Sequence, residues 1–109
     1  MRIVRCAFVL VALLLALPLT ANAAASPCTF QLGFSVLFAA IPERVGSCLD
    51  MEAYSANGDS VQHTARGLLV WRRADNWTAF TDGYRTWING PFGIQERLNT
   101  QRFGWELVD

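Results

Sequence analysis

The chain has 109 residues, 52% of them apolar, and its nine basic and nine acidic side chains give a formal charge of +0. That length admits one small domain and excludes a multidomain enzyme. Without a basic excess to neutralise phosphates, the composition argues against nucleic acid as a partner.

The apolar residues are unevenly placed, with 18 of the 57 inside residues 1–23. Arg2 and Arg5 precede an apolar run from Cys6 to Leu19, and Ala21-Asn22-Ala23 supplies the small residues a signal peptidase requires. This pattern predicts a secretory signal cleaved near Ala23. The run is 14 residues, short of the roughly 18–20 that span a bilayer. No second such stretch follows, so no transmembrane segment is expected after cleavage. The expected organisation is a signal over residues 1–23 and a single small secreted α+β domain over residues 24–109. The exported part carries 7 Arg against 9 acidic residues, a net −2.

Cys6 leaves with the signal, so Cys28 and Cys48 remain as an even pair in an oxidising compartment, where a disulfide is expected. The loop it closes is worth about 3 kcal/mol in the chain-entropy model. From Phe30 to Ile41 the apolar residues Phe30, Phe34, Leu37, Phe38 and Ile41 recur at spacings of three and four, predicting an amphipathic helix with Thr29 as its N-cap. Pro42 closes it, and Gly46 is a stop. Asn57-Gly58 and Asp82-Gly83 are tight-turn signals.

Gly67–Arg72, Trp77–Thr81 and Tyr84–Ile88 read as a three-stranded antiparallel meander. A two-residue Asp82-Gly83 turn pairs Thr81 with Tyr84 and Thr78 with Trp87. The Arg73–Asn76 loop pairs Arg72 with Trp77, and Leu69 with Phe80. The strand period then puts Leu68, Val70, Trp77, Ala79, Tyr84, Thr86 and Ile88 on one face, and Leu69, Trp71, Thr78, Phe80, Arg85 and Trp87 on the other. The first face is the more aliphatic and is assigned to the helix. Val61–Thr64 is expected as an edge strand, Ile94–Leu98 as a helical turn, and Phe103 and Trp105 as aromatics capping a sheet face. The fold class is α+β: an N-terminal helix packed on a small antiparallel β-meander, with one disulfide.

Candidates for chemistry are few. His63 is the only histidine, and with Asp50 or Glu52 it offers an acid–base pair for a small extracellular hydrolase. No Cys-x-x-Cys and no EF-hand spacing is present, so neither metal nor cofactor is expected. Asp75 and Asp82 read as turn residues. The unusual feature is aromatic content: 4 Trp, 2 Tyr and 6 Phe follow the signal. Trp71, Thr78 and Trp87 form a row across the meander, flanked by Phe80 and Arg85, with Asn89 nearby. Exposed, the row is a platform for sugar faces or a partner's apolar surface; buried under Phe92, Phe103 and Trp105, it is core.

The stretch Gly67-Leu68-Leu69-Val70-Trp71-Arg72-Arg73-Ala74-Asp75-Asn76-Trp77 through Thr86-Trp87-Ile88-Asn89-Gly90-Pro91, with Leu98-Asn99, Arg102-Phe103 and Trp105-Glu106, resembles a module of Chloroflexota-like exported bacterial proteins. Gly33-Phe34, Ile41-Pro42, Cys48-Leu49 and Asn57-Gly58-Asp59 extend the likeness over nearly all of the exported chain. The resemblance implies a secreted module and brings no catalytic residue with it. A weaker similarity runs to the LGFP cell-wall repeat through Val45-Gly46, Glu52, Gln62, Gly67 and Trp71, here in a single copy, and implies cell-wall binding. The functional expectation is a secreted, non-catalytic cell-envelope or polysaccharide-binding module that uses the aromatic face, with a cell-wall glycan or an envelope protein as partner. A structural protein-interaction domain is the further alternative.

Overall fold

A computed structural model describes residues 28–107; the signal expected over residues 1–23 lies outside them. The fold is mostly β. Six strands form one antiparallel sheet in sequence order: β1 (Ala53–Tyr54), β2 (Ser60–Thr64), β3 (Gly67–Arg72), β4 (Trp77–Thr81), β5 (Arg85–Gly90) and β6 (Gly93–Leu98). Two short helices, α1 (Gly33–Ala40) and α2 (Pro42–Val45), precede the sheet, and a 3-10 turn over Gly104–Leu107 follows it. Among the described residues no helix is long and apolar enough to cross a membrane.

The β3–β4 register is the one the sequence pattern predicts, with Leu69 opposite Phe80, Trp71 opposite Thr78 and Arg72 opposite Trp77. The β4–β5 register differs by two residues: Thr81 pairs with Thr86, Phe80 with Trp87 and Thr78 with Asn89. Asp82 is the reason. Its carboxylate accepts the Tyr84 and Arg85 backbone N–H groups at 2.9 and 2.7 Å, and Gly83 takes φ 94°. This side-chain-capped loop is wider than a two-residue turn, and it leaves Tyr84 out of the sheet at 64% exposure. A shift of two residues preserves strand parity, so every side chain that remains in the strands keeps its expected face.

Two further elements depart from expectation. Val61–Thr64 belongs to an interior strand, because the Asn57-Gly58 turn brings β1 alongside it, with Tyr54 opposite Ser60. Ile94–Leu98 is strand, not a helical turn. Pro91-Phe92 closes a tight hairpin that pairs Gly90 with Gly93, and Gly93 takes φ 83°, which sends the chain back along β5.

The core lies on the face opposite to the one assigned. Phe34 and Leu37 of α1 and Val45 of α2 pack with Leu69, Phe80 and Trp87 into one buried cluster. The wider shift in register sets Trp87 directly against Phe80, with ring centroids 5.8 Å apart. Packed aromatic volume, rather than the number of aliphatic residues, selects this face for the helices. The other face is capped at one end by Trp105, which meets Trp77 edge-on at 4.6 Å and stacks on Phe103 at 5.5 Å. Phe92, Phe103 and Trp105 therefore gather over Trp77 and not over the Trp71 row.

Helical structure begins at Gly33, after Leu32 turns the chain with φ 48° and ψ −123°; Phe30 and Thr29 precede it, and no side chain caps it. The Cys28–Cys48 disulfide is formed, with Cα atoms 6.0 Å apart. Beside it, the fully buried Gln62 donates from Nε2 to the carbonyls of Thr29 and Asp50, at 3.0 and 2.8 Å. The two segments that the disulfide joins are thus also fixed to the middle of β2.

Candidate functional site: an aromatic slot at the end of the sheet

The predicted row is mostly core. Thr78 and Trp87 are each 4% exposed and Phe80 is 0% exposed. The Arg44 guanidinium lies 5.5 Å above the Trp87 ring as a further cover. The centre of the row is therefore no platform, since α1 and α2 occupy the space a ligand would need. Arg85 is committed to Glu96, its Nη1 lying 2.9 Å from Oε1. Trp71 and Asn89 remain half-buried at the margin. Trp71 Nε1 donates to Asn76 Oδ1 at 2.7 Å, which fixes the indole plane.

At that margin the sheet builds a different site. Tyr54, Ser60 and Trp71 stand opposite one another on three successive strands, so their side chains share a face. With strands about 4.8 Å apart, the two aromatic side chains rise roughly 10 Å from each other across the small Ser60. A cavity of about 100 Å³ opens here, lined by Tyr54, Trp71, Phe34, Leu32, Glu52 and Asn76. Ser60 is 1% exposed, and its hydroxyl has no hydrogen-bond partner. The Glu52 carboxylate beside Tyr54, through hydrogen bonding and then its charge, holds the phenol above its usual pKa. The phenol thus stays a neutral donor.

Leu32 and Asn76 are the non-glycine residues with positive φ among the described ones, at 48° and 58°, and both line this slot. Asn tolerates that region; Leu does so only at a cost. Leu32 nonetheless presents its side chain to water at 85% exposure. The same two residues also line an open groove of about 630 Å³ that includes Asp75, Thr78 and Asn89.

The acid–base candidates are divided by the fold. His63 Nδ1 and Asp50 Oδ2 are 2.6 Å apart on the surface, with 60% and 46% of their side chains exposed. The hydrogen bond from the His63 side chain, aided by the His63 backbone N–H, holds the Asp50 carboxyl below its ordinary range. Glu52 lines the slot instead, and neither His63 nor Asp50 does. Among the described residues no group of three or more His, Cys, Asp or Glu side chains is arranged to hold a metal ion.

Of the slot, sequence reasoning found only Trp71 as a binding residue. Tyr54 was reachable: the Asn57-Gly58 turn pairs it across to Ser60, and Ser60 continues the row to Trp71. Leu32 carries no such signal, because its backbone conformation is set by how α1 docks. No family model matches this chain, and no curated protein or solved structure matches it significantly.

Proposed function

We propose that this chain is a secreted, non-catalytic binding or accessory module of the cell envelope, which holds a glycan or polysaccharide unit at the Tyr54–Trp71 slot. The observation that carries this reading is the pairing of two partly open aromatic side chains across a small residue, with a carboxylate and amides at the rim. Aromatic faces take the C–H faces of sugars, and rim groups of this kind fix hydroxyl positions. The expected aromatic binding surface is thus kept but moved from the buried centre of the row to its end.

Tyr54→Ala tests it, because Tyr54 is 66% exposed and its loss leaves the core intact. The variant should melt as the parent does and lose retention on cell-wall or polysaccharide preparations. Unchanged retention sinks the slot, and retention of an envelope protein with silence towards glycans favours the protein-interaction alternative.

The 2.6 Å contact between His63 and Asp50 supports a second reading, a small hydrolase with His63 as base and Asp50 orienting it. For this, His63→Ala must lose turnover of peptidoglycan or glycan substrates. Retained turnover ends it.

A further inference from the structure

The slot and the groove share Leu32, Gly33 and Asn76 in their linings, and each contains one charged side chain: Glu52 in the slot and Asp75 in the groove. No Arg lines either of them. Asp75 is incompletely satisfied. Its Oδ2 lies 3.1 Å from Arg72 Nε, while its Oδ1 is buried without a hydrogen-bond partner. That oxygen has no accessible surface, but 23% of the Asp75 side chain is exposed, so the charge of the carboxylate is felt from the groove. In the slot, the negative faces of Tyr54 and Trp71 add to the charge of Glu52. A volume of about 100 Å³ corresponds to roughly three water molecules. That is room for the substituted edge of one sugar ring.

We infer that this paired surface selects sugar units carrying a free, protonated amino group over N-acetylated or neutral ones. The inference rests on the slot reading and adds the chemistry of its ligand. A neutral sugar satisfies the rings but leaves both carboxylates facing hydroxyls. An acidic sugar is repelled by them. An ammonium group donates to Glu52 between the two rings, and a neighbouring amino sugar in the groove meets the charge of Asp75. The strained backbone of Leu32 fits this reading: against its own conformational preference it keeps an exposed apolar side chain in the lining of both acidic subsites.

The test is a titration of the purified protein at pH 6 with three β-1,4-linked tetrasaccharides, of glucosamine, N-acetylglucosamine and glucose, read by tryptophan fluorescence and calorimetry. The glucosamine tetramer is expected to bind at least about tenfold more tightly than the other two, as a desolvated charge-assisted contact allows. The preference should fade as the pH rises from 6 to 8 and the sugar amines lose their protons. Glu52→Gln should remove it, and Asp75→Asn should reduce it. Glu43→Gln, the same charge change on the exposed surface of α2, should leave it intact. Equal or tighter binding of the acetylated or neutral tetramer, still abolished by Tyr54→Ala, overturns the amine selectivity and leaves the slot standing. A preference that survives Glu52→Gln, or is lost equally in Glu43→Gln, also overturns it, because the attraction is then diffuse. Failure of all three tetramers to bind removes the slot reading itself.

Discussion

Leu32 concentrates the conflict between stability and function in one residue. A leucine at φ 48°, ψ −123° carries backbone strain on the order of 1–3 kcal/mol, and at 85% exposure its side chain returns little burial energy. Glycine accepts that conformation freely but costs roughly 0.5–1 kcal/mol in chain entropy. The strain is the larger quantity. Leu32→Gly is therefore expected to raise the melting temperature by a few degrees while weakening ligand retention at the slot, since an apolar side chain of its lining is gone. A variant that melts lower, or binds as the parent does, would show that Leu32 has no such role. Trp71 and Trp87 make the complementary point. The strand pattern places both in one row, yet Trp87 is held between Phe80 and Arg44, whereas Trp71 lines the cavity.

Among the elements, the C-terminal 3-10 turn depends most on a single ionised contact. Glu106 accepts two hydrogen bonds from Arg97, at 2.8 and 2.7 Å, and a third from the Phe103 N–H at 2.7 Å. Burial is the largest single influence on this carboxyl and pushes its pKa up, but the Arg97 and Phe103 bonds with the nearby Arg charges together hold it below its usual value. A carboxyl depressed in the folded state stabilises above its unfolded pKa and loses that contribution as pH falls through the folded one. Acidification below about pH 4 should therefore release the turn and separate Trp105 from Trp77, seen as a change in near-UV circular dichroism. Glu106→Gln should show the altered spectrum already at neutral pH; an unchanged spectrum in the variant would refute the assignment. The Arg97–Glu106 side chains are only 10% and 9% exposed, so salt should affect this contact far less than the open His63–Asp50 pair.

At the scale of the whole molecule, α1 reaches its place on β3 and β4 through an entry held by the Cys28–Cys48 disulfide and by Gln62. Closing a separation of 20 residues is worth about 3 kcal/mol, a large share for a domain of this size. A Cys28→Ser, Cys48→Ser variant should unfold at lower urea by about that free energy. Because Gln31 and Leu32 follow the tether and line the slot, it should also bind more weakly under conditions where it remains folded. Equal binding by folded variant and parent would separate the slot from the tether.

Strand periodicity was determined by the sequence itself. Alternation of side chains survives a register change of two residues, so the membership of both sheet faces was legible although the Asp82 loop was not. The β3–β4 register and the cysteine pairing were legible for the same kind of reason, each depending on few residues. Which face is covered was decided only in the tertiary structure, because that choice depends on how Phe34, Leu37 and Val45 fit against Leu69, Phe80 and Trp87. The slot follows from that choice. Its walls come from the entry to α1, from β1 and from the end of β3 with the loop after it, and no local pattern relates segments that meet only when the helices settle on one side of the sheet.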